Sequence, residues 1–377
     1  MQTTESMSPT ELAEFRDTVR QWLTRHSPIA TVRDTMDGPD GWDRALHTAL
    51  ATELGVLGVA VPEEYGGAGA GLPELASVQE ELGAALTCSP VFGSIVLAAQ
   101  TLLAVDDRSA CADLLPGLVD GSVTATVALN GELGPWDPAA VTLTAQDEAG
   151  RVQVSGVLEK VVDGDRADVL LVAARRGDEI LLVRVAGDAD GVRRDALTTL
   201  DRTRGIARVV LDAAPGDIVG DPAGTASALA RASDLAVVGL AAEQIGAAQQ
   251  CLDLAVDYAR DRIQFGRAIG SFQAVKHRCA DMLVEVETAR SAVVHATLCT
   301  ESDELAVAAA VCGMVCSDTF ADVAYNAMRV FGGIGFTWEH DAHLYLRRAT
   351  ADRLMWGTPD HHGERLAQLV GDTTGSM

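Results

Sequence analysis

The sequence predicts an α+β chain with an N-terminal helical bundle over residues 1–120, a middle antiparallel β domain over 121–219 and a C-terminal four-helix-type bundle over 220–377. Three observations carry this reading. Apolar residues recur at helical spacing through the first third. Short β-branched runs separated by turn residues then take over, with the regular spacing of an antiparallel barrel or sandwich. Helical periodicity returns at Asp221 and persists to the end.

In the first third, SPTELAEFRDTVRQWLTRH offers Ser8 or Thr10 as an N-cap, and Leu12, Phe15, Val19, Trp22 and Leu23 follow on one face. WDRALHTALATELG repeats the pattern and stops at Gly55. A Pro- and Gly-rich loop, VLGVAVPEEYGGAGAGLP, leads to two more apolar-striped helices, ELASVQEELGAAL and FGSIVLAAQTLLA.

In the middle third the predicted strands are SVTATVAL, AVTLTAQ, RVQVSGVLEKVV, DVLLVAAR, EILLVRV and ARVVLDA. Turns are expected at Asn130-Gly131, Glu148-Ala149-Gly150, Asp163-Gly164 and Gly177-Asp178. In the last third, SALARASDLAVVGLAAEQIGAAQQCLDLAVDYARDR is too long and too apolar for an isolated surface helix, so it reads as a central helix packed on several sides. Two more long helices follow, SFQAVKHRCADMLVEVETARSAVVHATL and ELAVAAAVCGMVCSDTFADVAYNAMRVF.

The 377 residues are 48% apolar, enough for a large core, and acidic residues outnumber basic ones 54 to 29 for a net charge of −25. Such a surface repels phosphate backbones and anionic headgroups, so neither nucleic acid nor a membrane is an expected partner. The N-terminus lacks an apolar leader, and no uninterrupted apolar run approaches the roughly 20 residues of a membrane span. The seven Cys are odd in number. Cys312 and Cys316 share a helix face, but no His or second Cys pair completes a metal set around them. Adjacent His361 and His362 cannot both face one ion. No metal is expected, and free thiols point to a reducing, cytoplasmic location.

Two segments look like ligand sites. In YARDRIQFGRAIGSFQAVKH, Arg260, Arg262 and Arg267 cluster beside Gly266 and Gly270, and guanidinium forks match the paired oxygens of a pyrophosphate. A solvated helix terminus is the plainer alternative. In RVFGGIGF, Gly332, Gly333 and Gly335 lie between helical stretches where a C-cap needs only one glycine, which suggests close approach of backbone to a ligand.

In order, YGGAG (Tyr65 to Gly69), the β domain, YARDRIQFGRAIGSFQAVKH and RVFGGIGFTWEHDAHLYLRRA resemble acyl-CoA dehydrogenases across almost the whole chain. The resemblance implies that family's fold and an FAD cofactor. Arg262 matches the arginine on the FAD pyrophosphate, usually that of a neighbouring subunit. Phe265 and Gln273 match other residues of that segment. Arg329 belongs to the glycine motif, whose Gly332 and Gly333 match the diglycine over the FAD adenosine part. Thr358 matches the threonine of the C-terminal Glu-Gly-Thr. A dimer or tetramer, homomeric or heteromeric, follows, with an acyl-CoA or carrier-protein acyl thioester as substrate and electron-transfer flavoprotein or a similar electron acceptor.

The chain departs from the family where the chemistry should be. A carboxylate must remove the α-proton of the thioester, and its usual place directly precedes the Gly-Thr. Trp356 stands there, and an indole cannot take up a proton. The alternative position on the long helix falls at Ala236, followed by Val237. Asp234 and Glu243 are the nearby candidates for a base, and Asp360, His361, His362 and Glu364 are further polar residues after Gly357. The flavin-lining segments are also altered, reading VALNGELGPWD (Val127 to Asp137) and Lys160-Val161-Val162. The leading expectation is an acyl-thioester α,β-dehydrogenase whose base lies on a related subunit. The alternatives are a homomer with altered chemistry, such as a flavin-dependent monooxygenase or a natural-product acyl-thioester tailoring enzyme, and a non-catalytic structural subunit.

Overall fold

A computed structural model describes residues 7–130, 133–148, 150–299 and 304–374. The Asn130-Gly131 and Glu148-Ala149-Gly150 turns therefore fall partly outside the described residues. The chain divides into two compact units, one of residues 1–12, 33–75 and 88–236, the other of residues 13–32, 76–87 and 237–377.

The N-terminal helices are α1 (Pro9–His26), α2 (Ile29–Asp37), α3 (Arg44–Thr52), α4 (Leu72–Ala84), α5 (Gln100–Val105) and α6 (Arg108–Val119), with a π-helical segment, Phe92–Ala99, running into α5. Ser8 starts α1 as a capping box: its Oγ accepts from Glu11 N–H at 3.4 Å, and the Glu11 carboxylate accepts from Ser8 N–H at 2.8 Å. Asp43 caps α3 through Leu46 N–H at 3.0 Å. Asp107 caps α6 through Ser109 and Ala110 and also accepts from Gly220 N–H at the end of the β domain.

The β domain has seven strands: β1 (Ala125–Ala128), β2 (Leu143–Glu148), β3 (Arg151–Val162), β4 (Val169–Arg176), β5 (Glu179–Ala186), β6 (Val192–Ala196) and β7 (Ile206–Val219). The order β4-β2-β3-β7-β5 closes through β4–β5 pairing into a barrel, with β1 added to β4 and β6 to β7. The sheet is mixed rather than wholly antiparallel, because β1 and β2 both run parallel to β4. Alternation in sequence reports which face a residue takes and is blind to strand direction. β6 was not anticipated: VRRDA has no apolar face, and none of its residues is buried. Its edge position on β7 supplies the pairing that its composition does not. Leu143, Val154, Leu158, Leu170, Val183 and Val209 belong to the barrel core.

The last third comprises α7 (Pro222–Asp261), a two-stranded hairpin of β8 (Ile263–Gln264) and β9 (Arg267–Ala268), then α8 (Gln273–Leu298), α9 (Leu305–Phe331), α10 (Ala342–Asp352) and α11 (Pro359–Thr374). Two helical stretches, 222–261 and 305–336, are long and apolar enough to cross a membrane by length and composition, although polar and charged residues interrupt both. The most apolar window of α7 is 72% buried, as in the core helix of a globular bundle.

Within the second unit, the C-terminal half of α4 and α7 meet through two reciprocal glycines. A Cβ on Gly246 would lie 1.8 Å from the Glu80 carbonyl oxygen, and one on Gly83 would lie 2.0 Å from that of Glu243. Only glycine permits this approach. Beside it, buried Glu80 is paired with Arg16 and Arg290, and Glu81 with Arg20 at 2.8 Å. Burial pushes the Glu80 carboxyl upward, while the Arg290 and Arg16 guanidiniums pull it back.

Candidate functional site

The pyrophosphate-type motif is a short hairpin beyond the end of α7. α7 ends at Asp261, and Ile269 N–H closes the following hairpin by donating to the Arg262 carbonyl at 2.8 Å. Phe265 and Gly266 turn the hairpin in left-handed conformations, φ +52° and +76°. Phe265 is 91% exposed, yet its ring packs edge-on to Phe272 at 6.1 Å, and the Arg267 guanidinium lies 4.1 Å from the centre of the Phe272 ring. Arg262 and Gln273 are both exposed.

The glycine motif ends α9. Gly332 takes φ +66°, ψ −141° and donates its N–H to the Met328 carbonyl. Neither Gly332 nor Gly333 has any neighbouring atom within 4 Å of where a Cβ would sit. Crowding within the chain therefore explains neither glycine; the left-handed backbone of Gly332 itself requires one, whereas Gly333 leaves its surface open for close approach. Exposed Arg329 lies over Tyr325 at 5.4 Å. The two motifs are brought together by Tyr258 of α7, whose ring meets Phe331 at 5.3 Å, with Phe331 also against His340 at 4.1 Å. Open glycine backbone and an exposed guanidinium have the chemistry to fit the anionic part of FAD.

The segment where a base is expected is closed. Trp356 is 5% exposed and held at φ +55°, and Gly357 at φ +111°. His362 packs into a notch between two glycines: a Cβ on Gly313 would lie 2.4 Å from its ring, and one on Gly357 2.9 Å. Desolvation first, then His361 and Arg365, push the His362 imidazole down to about 4, so it is neutral at pH 7. Thr358 starts α11: its Oγ1 accepts from His361 N–H at 3.2 Å and its carbonyl from His362 N–H at 3.0 Å.

Neither carboxylate candidate stands open. Asp234 and Glu243 are both buried, each 5% exposed, as are Ala236 and Val237. Glu243 Oε1 accepts from the buried guanidinium of Arg348, a contact invisible in sequence because the partners lie on α7 and α10.

In the β domain, Val161 and Val162 of the altered segment are buried, each 1% exposed. In VALNGELGPWD, residues 131 and 132 lie outside the described ones. Asn130 donates to the Pro135 carbonyl at 2.9 Å, and Trp136 Nε1–H donates to that of Ala226 at 3.1 Å. Asp163, read from sequence only as a turn residue, is buried at φ +53°, and desolvation pushes its carboxyl up to about 6 against the pull of Arg166 and Arg204.

This fold, with helical N- and C-terminal regions around a β domain, defines a class of FAD-dependent oxidoreductases, the acyl-CoA dehydrogenases. The acyl-CoA dehydrogenase N-terminal domain matches residues 9–122, and the C-terminal domain residues 225–370. The chain is 36% identical over 356 residues to the acyl-CoA dehydrogenase IpdE2 of Mycolicibacterium smegmatis, covering 94% of this chain and 97% of that protein. A solved variant of the Tcur3481-Tcur3483 steroid ACAD superposes with a TM-score of 0.86 at 30% identity, covering 97% of this chain and 99% of that one. The ChsE4-ChsE5 complex from Mycobacterium tuberculosis shows the same fold, with a TM-score of 0.87 at 24% identity over 98% of this chain and 99% of that one. This chain belongs to the acyl-CoA dehydrogenase family.

Proposed function

We propose that this chain is the base-lacking subunit of a heteromeric acyl-CoA dehydrogenase that performs α,β-dehydrogenation of an acyl thioester. The observation that carries the reading is the buried Trp356 at the base position, in a chain whose FAD-contact residues stand exposed. Arg262 would hold the FAD pyrophosphate, with Arg329, Phe265 and Gln273 beside it, and Gly332 and Gly333 would admit the adenosine part. Thr358 would serve from the start of α11. FAD, when bound, supplies the hydride acceptor for the β-hydrogen. A carboxylate of the related subunit would remove the α-proton as the hydride leaves, since the Glu243 Oε1 is already engaged by Arg348.

Exposed Phe336, Trp338, Leu283 and Val284 support association with another chain, since large apolar side chains on the surface favour burial in an interface. The name of the Tcur3481-Tcur3483 relative supports a steroid-derived acyl group. The reading also assigns a cytoplasmic location and an electron-transfer flavoprotein or similar acceptor.

The test is the visible spectrum of the chain purified alone and after co-expression with a related dehydrogenase subunit. A colourless single chain, and a yellow complex bleached anaerobically by an acyl-CoA, are expected. A yellow single chain bleached by an acyl-CoA would overturn the reading in favour of a competent homomer.

A further inference from the structure

Outside the flavin region, three side chains of different chemistry converge where α8 ends and α9 begins. His295 lies in the last turn of α8, Cys299 is its C-cap and Glu304 is the N-cap of α9. A spacing of four on a helix puts His295 and Cys299 on one face. Cys299 Sγ lies 3.7 Å from His295 Nε2 and 4.0 Å from Glu304 Oε2, and one ligand atom from each residue falls within 4.8 Å of the other two. The Glu304 side chain makes no capping hydrogen bond to α9.

A tetrahedral ion at ordinary Zn–S, Zn–N and Zn–O distances holds its sulfur about 3.6 Å from a nitrogen or oxygen ligand. The two sulfur separations need to contract by only a few tenths of an ångström, and the His295 and Glu304 ligand atoms, which lie within 4.8 Å of each other, by up to about 1.4 Å. Thiolate and carboxylate together neutralise a dication, and a neutral imidazole completes the set. The cysteine is buried while His295 and Glu304 are exposed, so an ion can enter from the solvent side and keep a water as fourth ligand. Thiolate and imidazole ligands select the borderline-soft first-row metals over magnesium or calcium.

We propose that His295, Cys299 and Glu304 form a binding site for a zinc-class divalent cation that staples α8 to α9. On binding, the Cys299 thiol gives its proton to solvent and the sulfur forms a bond to the metal, with no change of oxidation state. The staple ties the last turn of α8 to the start of α9. This site is independent of the flavin reading and stands or falls without it.

The experiment uses the full chain without an affinity tag, in reducing buffer and in whichever complex it is purified. Cobalt(II) serves as the probe and zinc as the competitor. Cobalt is expected to produce a thiolate-to-metal charge-transfer band at one equivalent, abolished by excess zinc. Cys299→Ser should remove the band, and Cys279→Ser should leave it. Glu304→Gln and His295→Gln, which keep the thiol, should weaken cobalt binding at least tenfold. Saturating zinc should raise Tm by roughly 2–4 °C in the parent and not in Cys299→Ser. No charge-transfer band, or one that survives Cys299→Ser, would overturn the site. A band without a Tm shift would overturn the staple.

Discussion

The hairpin at 262–273 and the turn at 352–362 carry the two ends of one inferred site, and they are built in opposite ways. The hairpin holds Arg262, Phe265 and Gln273 out to solvent, and the neighbouring Gly332-Gly333 backbone meets nothing within 4 Å. The turn buries Trp356, Gly357 and His362 among residues of their own chain. Exposure is costly for a ring such as Phe265 unless something covers it, whereas burial of Trp356 removes a position from chemistry and gives it to packing. On the proposed reading, the difference teaches that the partner-facing half of a flavin site persists where the reactive half has become core. Substitutions in the buried half should act on folding, and those in the exposed half on flavin and assembly.

The largest effect should come from the buried half. Arg348→Met leaves Glu243 without its guanidinium and is expected to cost about 3–5 kcal/mol, read by chemical denaturation. The double variant Arg348→Met/Glu243→Gln should recover part of that loss. If Arg348→Met left stability unchanged and abolished catalysis in the complex, the pair would belong to the reaction and the contrast would fail. Gly246→Ala drives a methyl into the Glu80 carbonyl and should cost about 3 kcal/mol. A Tm equal to that of the parent would show that α4 and α7 can separate.

His362 makes the contrast sensitive to pH. Its folded value, about 4, lies below the unfolded value of 6.5, so the native state binds fewer protons than the unfolded chain between them. Its contribution is therefore fully present above pH 6.5 and is lost as pH falls towards 4, on the order of 3 kcal/mol. His47, also pushed down to about 4 chiefly by desolvation, acts in the same direction, and Asp163, raised to about 6, acts in the opposite one. His362→Gln should flatten the fall in Tm between pH 6.5 and 4 while those other two contributions persist. An unchanged slope would place the proton elsewhere.

The smallest expected effect on the fold lies in the exposed half. Arg262→Ala should lower FAD occupancy of the purified complex about tenfold, roughly 1.4 kcal/mol, with Tm in the absence of flavin unchanged. Equal occupancy in variant and parent would remove Arg262 from the site.

Much of the architecture was legible because periodicity reports burial, and burial follows element type. The barrel's parallel pairings and β6 were not, since strand direction leaves no mark on alternation and an edge strand such as VRRDA needs no apolar face. The exposed motifs were legible as clustered arginines and surplus glycines. The Glu243–Arg348 pair and the close approach of α4 and α7 at Gly83 and Gly246 were not, because each joins helices far apart in the chain. The His295, Cys299 and Glu304 cluster had a readable spacing, but it has one cysteine and one histidine where a metal set is usually recognised by pairs.

The aromatic contact between Phe265 and Phe272, capped by Arg267, bears on how fast subunits find each other. A loose arm would have to freeze its rotamers at the moment of docking, at about 0.5–1.5 kcal/mol for each side chain immobilised. A ring already held against Phe272 would, in the proposed assembly, forfeit less of that freedom on docking, and the hairpin would act as a ready-made plug for its socket.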